Sequence, residues 1–501
     1  MDPEQIYYKS TRSNDAGMSS AQAIVKGISP DGGLYVPEAL PGLEMPVCCY
    51  SGMDYPGLAY KIMSRFLTDF TEEELRQCIK KAYDEKFDTP LIAPVVKAGD
   101  VFFLELFHGA TCAFKDMALS LLPHLLTLAA QKSGTGREIV ILTATSGDTG
   151  KAALESFSNV PGTKIIVFYP SRGVSLVQER QMITQDGANT FVCAIEGNFD
   201  DAQAGVKKIF GDIDLNKKLD ENNMMFSSAN SINIGRLIPQ VTYYFNAYIR
   251  LLEKGEIAEN EEINIVVPTG NFGNILAAYY AKNMGLPINR LICASNENNV
   301  LYDFINTGVY NRMRKLKLTM SPSMDILISS NLERLIYELC DRDPVRLSGL
   351  FSDLTNKGIF EIDDEMKEKL SDFWGGYATE KQTLDAISEV YKNHNYLIDT
   401  HTAVAYYVYK EYVESTSDRT KTVIAATASP FKFPGSVIKA ISISPSEYSG
   451  LDEFGLLEKL SSITGLQIPA PLKGIGSKKI LHNNYCTIDS MKDFVIGALG
   501  I

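Results

Sequence analysis

The chain has 501 residues, more than one simple core accommodates, so two or three domains are expected. Its make-up, 45% hydrophobic and 22% charged, is that of a soluble globular protein, and a formal charge of −13 speaks against a nucleic-acid partner, which needs a basic surface. No apolar run reaches the ~20 residues of a membrane span, and MDPEQIYYKS is polar where a secretory leader is apolar, so a cytoplasmic location is anticipated.

Residues 1–95 mix short polar turns with one helical stretch, roughly 69–85, and Asp31-Gly32-Gly33 before LYVP reads as a loop entering a short strand. From about Val101, glycine-bounded strand-like runs alternate with helical periods. REIVILTAT (137–145) and KIIVFYP (164–170) read as strands, and VSLVQERQMITQDG (174–187) as a helix. TFVCAIEG (190–197) is again strand-like and DDAQAGVKKIFGD (200–212) helical. A second set follows: INIVVPTG (263–270), an alanine-rich helix from about Ile275, and RLICAS (290–295). Strands without polar alternation, each followed by a helix, make an α/β protein with parallel sheets covered on both faces. Residues 340–415 are mostly charged and helical in period, and TKTVIAATAS (420–429) returns as a buried strand. From about Pro430 the chain is expected to close with helices and short strands.

The eight cysteines are scattered, without CxxC or any Cys/His cluster at zinc spacing, so they read as reduced small hydrophobes and no metal is expected.

Chemistry concentrates where small polar residues interrupt this pattern. In FHGATCAFKD (107–116), Lys115 sits in an apolar setting that would favour the neutral amine needed for a Schiff base. On local sequence alone, a lysine between Phe and Asp is ordinarily a solvated residue at a helix start. TATSGDTGKAA (143–153) sets hydroxyls, glycines and Asp148 between a strand and a helix, where backbone N–H groups can bind phosphate or carboxylate. PTGNFGN (268–274) repeats the arrangement. Both are also compatible with purely structural turns, and neither contains GxGxxG, which argues against a dinucleotide. In SSANSINIGR (227–236), Ser231, Asn233 and Arg236 suit a phosphate or carboxylate, while capping by Asn230 or Ser231 with a surface arginine is the competing reading. His108 could move a proton or simply pack, and Asp116 reads as a charge at a helix N-terminus.

Taken with EGNFDDAQ (196–203), SMDILISSNLERL (323–335), DTHTAVAY (399–406) and TASPFKFP (427–434), these segments resemble the successive motifs of the threonine synthases, in order, from SPDGGLYVP to about Pro434. The resemblance implies a pyridoxal 5'-phosphate enzyme of fold type II, with two open parallel-sheet α/β lobes, the cofactor between them, and an N-terminal domain. It implies residues 1–95 as that domain, 96–434 as the catalytic region and 435–501 as an extension. Lys115 would anchor the cofactor and move protons. Gly270, Asn271, Phe272, Gly273 and Asn274 would cradle its phosphate, and Thr427 would meet its ring nitrogen. Ser146, Asp148 and Thr149 would hold the substrate carboxylate, and Ser231, Asn233 and Arg236 the substrate phosphate. The implied reaction turns O-phosphohomoserine and water into threonine and phosphate, in a monomer or homodimer with no nucleic-acid or membrane partner. A phospholyase on a related phosphorylated amino compound, or a silent cofactor-binding regulator, is the alternative. The sequence departs from the usual pattern at Ala110, Cys112, Asn274 and Ser429, where relatives usually carry Pro, Leu, Asp and His.

Overall fold

A computed structural model describes residues 5–15, 17–145, 147–172, 174–442, 444, 446 and 448–501, without the side chain of Asp200. Two sheets organise them. The larger has the strand order Phe373–Tyr377, Ile288–Ser295, Ile263–Pro268, Thr422–Ala426, Val101–Glu105, Val95–Ala98. Its neighbours run parallel except for Val95–Ala98, which closes one edge antiparallel to Val101–Glu105. The smaller sheet is wholly parallel, in the order Asn484–Thr487, Thr190–Glu196, Thr163–Pro170, Glu138–Ala144, Met224–Ser227. Helices cover these strands, so Ile263–Pro268 is buried along its whole length, as a run without polar alternation requires.

Most elements lie within a few residues of the sequence reading. The helix placed at 69–85 is shorter, Glu72–Ala82, because Thr71 and Glu74 form a capping box and the backbone turns off at Tyr83. The charged region read as helical also contains strands: Ile359–Glu361 pairs with Val309–Asn311, and Phe373–Tyr377 (FWGGY) with Ile288–Ser295. The glycines of FWGGY are required by packing. A Cβ on Gly376 would lie 2.7 Å from Val408 of the helix Thr400–Thr416, and one on Gly375 3.2 Å from Ile305 of the helix Val300–Thr307.

The N-terminal residues form a two-stranded pair, Tyr8–Ser10 with Tyr35–Pro37, and short helices packed into a core shared with both lobes. The helices Pro434–Ile441 and Glu453–Thr464 pack on the larger lobe, and the last residues, from Asn484, belong to the smaller one. Asn484–Thr487 adds its edge strand, and Met491, Val495 and Leu499 pack with Val140, Leu142 and Phe168. No helix among the described residues is long and apolar enough to cross a membrane.

Topology places the site. Ile263–Pro268, Thr422–Ala426 and Val101–Glu105 are successive neighbours, so the segments after their C-terminal ends, 269–274, 427–432 and 106–115, emerge side by side. The segment 145–150 emerges from the facing lobe after Glu138–Ala144.

Candidate active site

Lys115 is held by pairing between two distant segments. Phe114 N–H donates to the Thr427 carbonyl at 2.8 Å, and Ser429 N–H donates to the Cys112 carbonyl at 3.0 Å. Asp116 fastens the same loop from within: its carboxylate accepts from Thr111 N–H at 2.8 Å and from the Thr111 hydroxyl at 2.6 Å. Burial pushes the Asp116 carboxyl up to about 6, against the lowering effect of those bonds. It is therefore a buried loop clasp as well as the first residue of the helix Asp116–Leu119.

The Lys115 amine is buried, 3.6 Å from Asp148 Oδ2. Desolvation is the largest influence on it and lowers its proton affinity. Asp148 opposes that, and the positive charges of Lys432 and Arg236 reinforce it; the net shift is downward. Lys432 was not foreseen in the sequence, although TASPFKFP contains it. Its Nζ lies 2.7 Å from Asp148 Oδ1 and donates to the Thr111 carbonyl at 2.9 Å. Gln178 Nε2 also donates to Asp148 Oδ1, at 2.8 Å. Burial alone would raise the Asp148 carboxyl, but the charges of Lys432 and Lys115 and the bonds from Lys432 and Gln178 hold it far below its ordinary value. Asp148 is thus an anion already shared by two ammonium groups. That corrects the expectation that its side chain holds a substrate carboxylate, which it would repel. Ser146 lies outside the described residues. Thr149 is half-buried in the first turn of the helix Asp148–Phe157, beside its N–H groups.

The 268–274 loop is shaped for close approach. A Cβ on Gly270 would sit 2.6 Å from the Ser323 carbonyl, and Phe272 is left-handed, with φ 62°, where the helix Gly273–Asn283 begins without a side-chain cap. The segment 323–335 braces this loop. Ser329 Oγ donates to the Gly270 carbonyl at 2.7 Å and Asn331 N–H to the Asn271 carbonyl at 3.0 Å. Asn274 Oδ1 accepts from Tyr243 and Tyr244, each at 2.5 Å, leaving its Nδ2 a buried donor without a partner.

Ser231, Asn233 and Arg236 do not act as the single cluster expected. Asn233 is spent on structure: its Nδ2 donates to the Ile24 and Ser228 carbonyls at 3.0 and 2.9 Å, and its Oδ1 caps Gly235 N–H at 2.9 Å. It has no donor left for a substrate phosphate, and it, rather than Asn230 or Ser231, is the helix cap. Ser231 Oγ lies 3.5 Å from Ser330 Oγ, which donates to Asn271 Oδ1 at 3.3 Å, so it joins the glycine loop. Arg236 is 3% exposed and donates to the Ala229 carbonyl at 3.0 Å, but its Nε has no partner among the described residues. No carboxylate among the described residues reaches it. Desolvation drags its guanidinium down to about 10.

His108 lies between Asp88 (2.6 Å) and Glu105 (2.9 Å), and takes the packing role. Its proton affinity is raised, since these carboxylates outweigh the opposing effect of burial. A second buried histidine was passed over within DTHTAVAY. His401 Nδ1 meets Asp399 at 2.9 Å, and its Nε2 accepts from Ser323 N–H at 3.2 Å, behind the glycine loop.

Three family descriptions match in succession: "Threonine synthase N terminus" over residues 7–83, "Pyridoxal-phosphate dependent enzyme" over 84–349, and "Threonine synthase, C-terminal" over 402–466. Threonine synthase of Schizosaccharomyces pombe is 35% identical, across 89% of this chain and 90% of that protein. The human protein named threonine synthase-like 1 is 39% identical across 94% of this chain, which spans 64% of that longer protein's length. The crystal structure of pyridoxal-phosphate-bound threonine synthase from Brucella melitensis superposes with a TM-score of 0.86 at 34% identity, covering 99% of each chain.

Proposed function

The chain belongs to the threonine synthase family of pyridoxal-phosphate enzymes, and on that premise we propose that it converts O-phosphohomoserine and water to L-threonine and phosphate. The observation that carries the reading is Arg236, a guanidinium buried beside Lys115 with no carboxylate among the described residues to neutralise it. Leaving a charge so placed costs several kcal/mol unless an anion enters with it. A phosphate ester on an amino-acid substrate is such an anion.

The residues present fit pyridoxal phosphate. Lys115 offers a buried amine whose proton affinity burial lowers, and Gly270 lets its loop pack directly on the Ser323 carbonyl, which a Cβ would approach to 2.6 Å. Asn274 offers an unused buried donor. Gly270, Asn271, Phe272, Gly273 and Asn274 would hold the cofactor phosphate, Thr427 the ring nitrogen, and Lys115 the reactive carbon. When bound, the cofactor supplies the electron sink that makes carbanions at Cα and Cβ accessible.

The remaining work falls to side chains. Lys115 takes a proton from Cα and returns one to it. Burial favours its neutral state and Asp148 its protonated state, so the amine can pass between them. Arg236 and Ser231 bind the substrate phosphate, and the guanidinium stabilises negative charge as that group leaves Cγ. The N–H groups heading the helix Asp148–Phe157, with Ser146 and Thr149, bind the substrate carboxylate. Residues 96–434 carry this chemistry, with 1–95 flanking them and 435–501 an extension whose last strand and helix complete the smaller lobe.

Purified protein supplied with the cofactor and O-phosphohomoserine should release threonine and phosphate in equal amounts. Phosphate accompanied by 2-oxobutyrate instead would replace this reading with a phospholyase.

A further inference from the structure

Lys432 takes no part in the reaction as just drawn, yet it is the most completely buried cation around Lys115, with 0% exposure. It stands on the short turn Pro430–Lys432, continuous with the segment that pairs with the Lys115 loop. Its ammonium bonds the Thr111 carbonyl at 2.9 Å on its own lobe and reaches Asp148 at 2.7 Å on the other. The Asp148 carboxylate therefore lies between two ammonium groups, one on each oxygen, at 2.7 Å to Lys432 and 3.6 Å to Lys115.

The asymmetry matters because one carboxylate cannot fully neutralise both cations. With Lys432 absent, the whole charge of Asp148 would fall on Lys115 and raise its proton affinity, so less of it would be free to take a proton from carbon. With Lys432 present, the closer contact uses most of that charge. The other ionisable groups facing these three are Arg236, a further cation, Cys112, whose thiol burial pushes up to about 12, and Asp116, tied back to Thr111.

We infer that Lys432 is a positioning residue for Lys115: it fixes Asp148 across the cleft between the lobes and takes the larger share of its charge, leaving the Lys115 nitrogen free to lose and regain a proton. The inference rests on the role given to Lys115 above.

The test uses holoenzyme without substrate and reads the pH midpoint of the absorption band of the lysine-bound cofactor. Lys432→Gln keeps hydrogen-bond donors but loses the charge, and should raise the midpoint by about one unit, a tenfold change in proton affinity. Asp148→Asn should lower it. Midpoints that move in the same direction, or that stay put while only thermal stability falls, overturn the inference and leave Lys432 a structural contact. If Lys432→Gln does not fold, adding it to Asp148→Asn tests the same coupling: with no carboxylate left to share, the added change should leave the midpoint nearly where Asp148→Asn alone puts it, and a further rise of about one unit would show that Lys432 acts without Asp148 and refute the inference. Failure of the wild-type protein to develop any such band sinks the proposed function itself, an outcome distinct from a normal band with an unmoved midpoint.

Discussion

Replacing Arg236 with methionine should stabilise the ligand-free protein while disabling it. The guanidinium, ordinarily at 12.5, is pulled down to about 10 by burial. That difference corresponds to roughly 3 kcal/mol against the charged form in the folded state. Because the folded value is the lower one, the penalty is complete at every pH below about 10 and is relieved only as pH rises beyond it. Methionine fills similar space without charge, so the variant escapes this cost and loses the bond to the Ala229 carbonyl, worth about 1 kcal/mol. A net gain of about 1–2 kcal/mol remains, visible as a higher midpoint in thermal or urea unfolding without ligands. Inorganic phosphate should raise the wild-type midpoint and leave that of the variant unchanged. With O-phosphohomoserine, losing a buried charge-assisted contact worth about 3–4 kcal/mol should cut kcat/KM by some 10²–10³-fold. Cofactor affinity should stay within a few-fold. A variant that unfolds more easily, or loses cofactor and substrate together, would show that Arg236 is a structural cation.

Three further expectations follow from the geometry. Lys115→Ala should reduce turnover by at least about 10⁴-fold in a phosphate-release assay while far-ultraviolet circular dichroism stays native, and residual activity near wild type would disprove its role. Gly270→Ala places a Cβ 2.6 Å from the Ser323 carbonyl. This overpacking, about 1–3 kcal/mol, should weaken cofactor binding roughly 10- to 100-fold in a fluorescence titration; unchanged affinity would mean the loop is not the cradle. His108 has its proton affinity raised above the usual 6.5 by Glu105 and Asp88 against the effect of burial, so its ion pairs stabilise fully below about 6.5 and fade as pH rises through the folded-state value. Thermal midpoints should decline over that range in the wild type and less so in His108→Gln, and parallel declines would remove His108 as the cause.

The elements readable in advance are those whose burial is local and periodic. INIVVP and TVIAA are buried on every residue and, apart from Asn264 and Thr422, apolar, because helices cover both sheet faces, and that is written in consecutive side chains. The glycine-rich turns were readable for the same local reason. FWGGY was not, because its glycines answer to Val408 and Ile305, residues far away in the chain. Nor was the edge strand Asn484–Thr487, whose partner is Thr190–Glu196.

At the site, the sequence by itself determined which groups are available: one lysine in an apolar loop, two anion-binding turns, an arginine after small polar residues, and a family order joining them. Only the tertiary structure decided how they are spent. It committed the Asn233 amide to Ile24 and Ser228, left the Arg236 guanidinium without a carboxylate among the described residues, and set Lys432 and Lys115 on opposite oxygens of Asp148. Hydrogen bonding and charge depend on distance and burial in space. Strand order brings residues 115, 148, 236 and 432 together, and nothing in the intervals between them along the chain encodes that meeting.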